Sequence, residues 1–238
     1  MPEANGSGLR AIVFDMDNTL FDFVEAKLRA CNAVVERMGA GDGEELVRYF
    51  FSSEHGVEDW KNIADYMGKY GVDLEMYEEC CRVYDEMKLR HIDPYPGVRE
   101  TLLKLKEKGL KLAVVTDALN GHAMDRLRKC GLLEYFDVVV TGDMTGRKKP
   151  EPDSIELALE RLQVGAEEAI LVGDSLKRDI EAGRSLGMFT VYAAYGDRNY
   201  FDGRDNQADF VLTEFGELLD LVWSDSLKNL QKSDCSEF

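Results

Sequence analysis

Alternation between strand-like and helix-like segments constrains this chain most. Short β-rich runs occur at Ala11–Asp15, Leu110–Thr116, Asp137–Thr141, Ala169–Asp174, Phe189–Ala193 and Phe210–Leu212, and after the first they are separated by helix-length segments. Such alternation predicts a parallel α/β sheet, because a parallel crossover is long enough to hold a helix. The helices expected between the runs are Gly97–Lys108, Ala123–Gly131, Ser154–Gln163, Arg178–Leu186 and Glu214–Val222, covering both sheet faces.

One stretch breaks the rhythm. From Asp22 to Asp93 roughly seventy residues show helical patterning and no convincing strand, too long for a structureless loop in a compact domain. They read as an inserted helical domain, residues 22–93, splitting a core made of residues 1–21 and 94–238. Its expected helices are Val24–Met38, Glu44–Phe51, Val57–Lys69 and Asp73–His91, and Asp93-Pro94-Tyr95-Pro96-Gly97 is the return linker. Tyr195–Gln207, rich in Gly, Asp, Asn and Arg, reads as an exposed loop, and the polar tail beyond Ser224 as frayed.

Charge narrows the partners. With 29 Lys plus Arg against 46 Asp plus Glu the formal net charge is −17, which disfavours nonspecific attraction to nucleic acid or anionic membrane. An anionic substrate therefore needs local positive charge or a metal. No apolar run suggests a membrane span, Met1–Arg10 is Gly-rich and polar, and the expected compartment is the cytoplasm. Cys31, Cys80, Cys81, Cys130 and Cys235 are odd in number and contain no CxxC pair, which fits reduced thiols.

Residues able to do chemistry cluster at the ends of expected strands, where α/β sheets place their ligands. Asp15-Met16-Asp17-Asn18-Thr19 follows the apolar run Ala11–Phe14 and puts two carboxylates there, although Asp and Asn also serve as plain turn residues. Thr116 closes Val114-Val115-Thr116; its hydroxyl can bind a phosphoryl oxygen or cap the turn. Lys148-Lys149-Pro150-Glu151-Pro152 makes a stiff turn able to aim a lysine inward, and Gly173-Asp174-Ser175 with Asp179 supplies a second carboxylate pair. A parallel sheet brings these strand ends into one crevice.

Together, DMDNT at Asp15–Thr19, VVT ending at Thr116, KKPEP around Lys149 and GDSLKRD at Gly173–Asp179 resemble the four motifs of the haloacid dehalogenase superfamily, from Ala11 to about Leu212. The resemblance implies a Rossmann-like parallel sheet flanked by helices with an all-helical cap inserted after the first motif. It implies a phosphatase in which Asp15 is the nucleophile and forms an aspartyl-phosphate, while Asp17 protonates the leaving group and later activates water. Magnesium would be held by the Asp15 carboxylate, the Asp17 main-chain carbonyl and Asp174, with Asp179 in the outer shell. Lys149, placed immediately before Pro150 in the family pattern, would neutralise Asp15 and a phosphoryl oxygen, and Thr116 would hydrogen-bond the transferring group; Arg147 and Lys148 are the neighbours able to share the lysine role.

The implied reaction is magnesium-dependent hydrolysis of a small phosphorylated metabolite by a monomer or homodimer. The second aspartate, Asp17, separates this from the superfamily's haloalkanoic acid dehalogenases and phosphonatases. A phosphomutase, which shares the aspartates, and a receiver-like regulatory module are the alternatives; paired aspartates on the first strand followed by a large insertion fit the receiver poorly. The cap offers Glu54, His55, Trp60, Lys61 and Tyr66 without a motif that names a substrate, and His55 reads as a surface residue.

Overall fold

The computed structural model describes residues 8–52, 54–198 and 207–224. Six strands, β1 (Ala11–Phe14), β2 (Lys111–Val115), β3 (Val138–Val140), β4 (Ala169–Gly173), β5 (Phe189–Ala193) and β6 (Phe210–Leu212), form one sheet in the order β3-β2-β1-β4-β5-β6. Every pairing is parallel. The helices, in chain order, are α1 (Phe23–Met38), α2 (Gly43–Ser52), α3 (Lys61–Lys69), α4 (Tyr77–Arg90), α5 (Val98–Glu107), α6 (Asn120–Lys129), α7 (Gly142–Thr145), α8 (Asp153–Leu162), α9 (Glu181–Ser185) and α10 (Glu217–Trp223).

The central strands are continuously apolar because both their faces are covered. Ala11, Val13, Ala113, Val115 and Leu171 share a buried cluster with Ile155, Ala158, Leu159 and Leu162 of α8. Phe14 stacks on Phe215 at 5.8 Å and meets Phe136 edge-on at 6.1 Å. β1 lies between β2 and β4, with Ile12 opposite both Leu112 and Ile170. The chain thus builds outward from β1 in one direction and then crosses to its other side, and this reversal is where open α/β sheets form a crevice.

β1, β2 and β4 each end one residue before a motif side chain, Asp15, Thr116 and Asp174. Asp15 and Thr116 still donate their amides to Val172 O at 2.8 Å and Val140 O at 3.0 Å, so the ladder persists while the chain turns away. The expected helix Arg178–Leu186 is present as α9, Glu181–Ser185, entered through a wide turn of π type at Leu176–Ile180. The expected helix Asp73–His91 is divided: Asp73 accepts from the Glu75 amide and holds a tight turn over Leu74–Met76 before α4 begins. The helix expected from Val57 starts only at Lys61, and the short helix α7 follows β3. Residues 199–206 of the expected Tyr195–Gln207 loop, the tail from 225 onward including Cys235, and the first seven residues lie outside the described residues.

The chain divides into two compact units, Met1–Phe21 with Pro94–Phe238, and Asp22–Asp93. In the second, Asp22 caps α1 by accepting from the Glu25 amide at 2.9 Å. Its core gathers Ala30, Val34, Leu46, Phe50, Ile63, Tyr66 and Tyr84, with Phe50 stacked on Tyr84 at 4.9 Å. Cys31, Cys80 and Cys81 are buried free thiols there, and burial pushes the Cys31 thiol up to about 12. Two lysines are also buried. Lys27 donates to Val57 O and lies 4.5 Å over Phe50; Lys88 meets Glu58 at 3.1 Å and Asp85 at 3.2 Å and lies 4.7 Å over Tyr84. No helix among the described residues is long and apolar enough to cross a membrane.

Candidate active site

β1 and β4 deliver Asp15 and Asp174 to neighbouring strand ends, and the wide turn after β4 returns Asp179 beneath them. The carboxylates of Asp15, Asp174 and Asp179 offer oxygens that lie within 4.8 Å of one another, all three side chains being buried. Gly173 makes that return possible: a Cβ there would meet Asp179 Cβ and Cγ at 2.4 Å. Asp179 is then pinned, since its Oδ2 accepts from the Ser175 amide at 3.0 Å.

Lys149, aimed inward while Lys148 stays exposed, joins the strand ends. Its Nζ donates to Asp15 Oδ1 at 2.5 Å and to Val115 O at 3.2 Å, and reaches Asp179 Oδ1 at 2.6 Å. Its amide donates to Asp117 Oδ1 at 3.1 Å, which fixes the turn before a cis Pro150. Burial by itself would lower the ammonium's pKa, but Asp15, Asp179 and Asp117 together hold it above the ordinary lysine value. Arg147 turns outward to Glu151 and Asp153. Burial, reinforced by the charges of Asp15 and Asp179, raises the carboxyl pKa of Asp174 well above the usual range. Burial likewise raises that of Asp179, against the pull of Lys149.

Asp15 Oδ2 accepts from the Thr19 hydroxyl at 3.1 Å. Between them Asn18 adopts the left-handed region at φ 65°, which asparagine tolerates better than most residues, and its amide donates to Phe21 O at 2.9 Å. Asp17 is part-buried and meets Arg126 of α6 through Oδ2 at 2.6 Å. Thr116 is buried at the end of β2, and its hydroxyl oxygen accepts from the Ala118 amide at 3.1 Å, so the turn-capping contact is present. His55 pairs with Asp65 at 2.8 Å in the helical unit.

The site contains residues that reading the sequence passed over. Gly196 lies so close to the first motif that a Cβ would fall 1.7 Å from Asn18 O, and Tyr195 donates its hydroxyl to Thr19 O at 2.8 Å. Arg178 stands at the rim, half-exposed, 3.8 Å from Asp117 and 4.0 Å from Asp174. A basic residue between two acidic motif positions was the available signal for Arg178; Gly196 and Tyr195 carried none.

The model of the haloacid dehalogenase-like hydrolase family matches residues 12–193. The chain belongs to that family. Within it, a glyceraldehyde 3-phosphate phosphatase of Methanocaldococcus jannaschii is 33% identical over 94% of this chain and 99% of its own length. A phosphoglycolate phosphatase of Nitrosospira multiformis is 32% identical over 83% of this chain and 87% of its own. The crystal structure of a haloacid dehalogenase-like phosphatase from Thermococcus onnurineus superposes with a TM-score of 0.66 at 28% identity, covering 90% of this chain and 98% of that one.

Proposed function

We propose that this haloacid dehalogenase-like hydrolase is a phosphatase of small phosphorylated metabolites, working through an aspartyl-phosphate on Asp15. The observation that carries the reading is the pairing of a buried Asp15 with Lys149 at 2.5 Å, beside two further buried carboxylates at the crossing point of the sheet. A carboxylate approaching a phosphate dianion is repelled unless cations stand by, and Lys149 is one already seated against the attacking group.

The residues fit a divalent cation. Asp174 Oδ1 is buried and accepts no hydrogen bond among the described residues, and the donor set is all oxygen, as a hard ion requires. Asp15, Asp174 and the main-chain carbonyl of Asp17 would hold magnesium, as the motif resemblance implies, with Asp179 in the outer shell, where its Oδ2 accepts from the Ser175 amide. When bound, the ion supplies positive charge between the phosphate and Asp15.

Asp15 attacks phosphorus through one oxygen as the bond to the substrate oxygen breaks, and Asp17 gives that oxygen a proton. Asp17 then takes a proton from the water that attacks phosphorus, releasing inorganic phosphate and restoring Asp15. Thr116 and neighbouring amides hydrogen-bond the transferring group. The relatives' names make short phosphate esters, glyceraldehyde 3-phosphate and phosphoglycolate among them, the first substrates to try. Buried free thiols suit a reducing cytoplasm.

The test is release of inorganic phosphate from a panel of phosphorylated metabolites with magnesium and with EDTA. Magnesium-dependent release with turnover is expected. A phosphomutase would instead return an isomeric phosphate ester without net phosphate release, and phosphate release indifferent to EDTA would defeat the metal assignment.

A further inference from the structure

α6 carries three basic residues in its last turn, Arg126, Arg128 and Lys129. Arg128 lies at the surface beside Asp125, with 60% of its side chain exposed. Arg126 is different: it is 2% exposed and occupies the buried face of the helix with Ala123 and Leu127. A guanidinium is never neutralised by burial, so a core position is costly unless a charged partner meets it. That partner is Asp17, 109 residues away in sequence, reached by Nη1 at 2.6 Å.

We propose that Arg126 is the positioning residue of proton transfer, holding Asp17 by Oδ2 so that Oδ1 exchanges protons with the leaving group and with water. The proposal rests on the phosphatase reading above. An Oδ2 that accepts from a guanidinium does so whether or not Oδ1 carries a proton, so the same contact serves Asp17 both as acid and as base. The arrangement has a rigid origin. α6 follows β2, whose end carries Thr116, and Asp17 follows β1 directly alongside, so the two groups are set by adjacent strands. An arginine serves here because its planar head can bond Oδ2 while its apolar stem lies on the buried face of α6.

A residue that acts through proton donation matters only when the leaving group needs a proton. The experiment compares kcat/KM for an alkyl phosphate with that for 2,4-dinitrophenyl phosphate, whose leaving group departs as a stable anion, in wild type, D17N, R126Q and R126K. The ratio of the two values cancels the fraction of enzyme that is folded. D17N fixes the scale, with an expected fall in the ratio of about a hundredfold or more. R126Q is expected to lower the ratio at least about tenfold, mainly through the alkyl substrate, and R126K, whose single ammonium is shorter and unforked, about threefold or more. If R126Q yields no soluble protein, R126K carries the test alone. An arginine variant that depresses both substrates equally, or leaves the ratio at the wild-type value, overturns the proposal. D17N with an unchanged ratio would overturn the reading of Asp17 itself, a failure distinct from that of Arg126.

Discussion

In the sheet unit, four buried charges are gathered: Asp15, Asp174 and Asp179 lie together, and the ammonium of Lys149 rests against Asp15 and Asp179. In the helical unit each buried charge has partners of its own, Lys27 donating to Val57 O over Phe50 and Lys88 meeting Glu58 and Asp85 over Tyr84. The gathered carboxylates repel one another, and burial and mutual charge raise the pKa of Asp174. Such a cluster of like charge is relieved by a cation, as Lys149 shows at Asp15 and Asp179; the lysines over aromatic rings have partners of their own. Concentration of like charge, rather than burial of charge as such, distinguishes the candidate site.

The sharpest way to break the comparison is to remove one charge from the cluster. D15N should lower kcat by at least about a thousandfold, since the amide keeps the shape but loses the attacking oxygen, while circular dichroism stays native. Turnover near wild type would mean that the gathered charges serve stability only.

Next in size, K149M leaves Asp15 and Asp179 buried without their common cation, and urea unfolding should show a loss of about 3–5 kcal/mol. K27M in the helical unit should cost less, about 1–3 kcal/mol, because it forfeits contacts with rings and a carbonyl while methionine refills the space. If the two variants lose the same amount, the distinction between gathered and dispersed charge has no energetic meaning.

The smallest effect concerns Cys31. Its folded pKa of about 12 exceeds the ordinary 9.0, so between these values the unfolded chain has released a proton that the folded one keeps. Stability is therefore present below about pH 9 and lost as pH rises toward 12, by about 1.4 kcal/mol per pH unit. The stability gap between wild type and C31A, measured by urea unfolding, should narrow by about 1 kcal/mol from pH 9 to pH 10, the unfolded thiol being only half ionised at the start of that interval. A constant gap would show the thiol to be accessible to solvent.

Much of the sheet unit was legible because its signals are local. Apolar runs such as Ile170-Leu171-Val172 mark buried parallel strands, and the residue just after each run must emerge at the same edge of the sheet. That rule is what led to Asp15, Thr116 and Asp174, and the fold does bring their strands side by side. Arg126 was illegible for the complementary reason: a helix C-terminus rich in Arg and Lys reads as solvated, and nothing local says which of three basic residues turns inward. The spacing of Asp179, five residues after Asp174, becomes intelligible only with the wide turn at Leu176–Ile180 and the space left by Gly173. The late start of α3 and the tight turn before α4 were missed because helical periodicity continues through Val57–Trp60 and Asp73–Met76 while polar side chains close local turns.

Chemical capture at Asp15 tests the central claim most directly. D17N, in which breakdown of the intermediate should be slowed, is mixed with magnesium and 2,4-dinitrophenyl phosphate, whose leaving group needs no proton; the reaction is quenched, reduced with borohydride and mapped by peptide mass spectrometry. An acyl phosphate on Asp15 predicts conversion of that residue alone to homoserine. Phosphate release with Asp15 unmodified, or with the label on Asp17, Asp174 or Asp179, would contradict it.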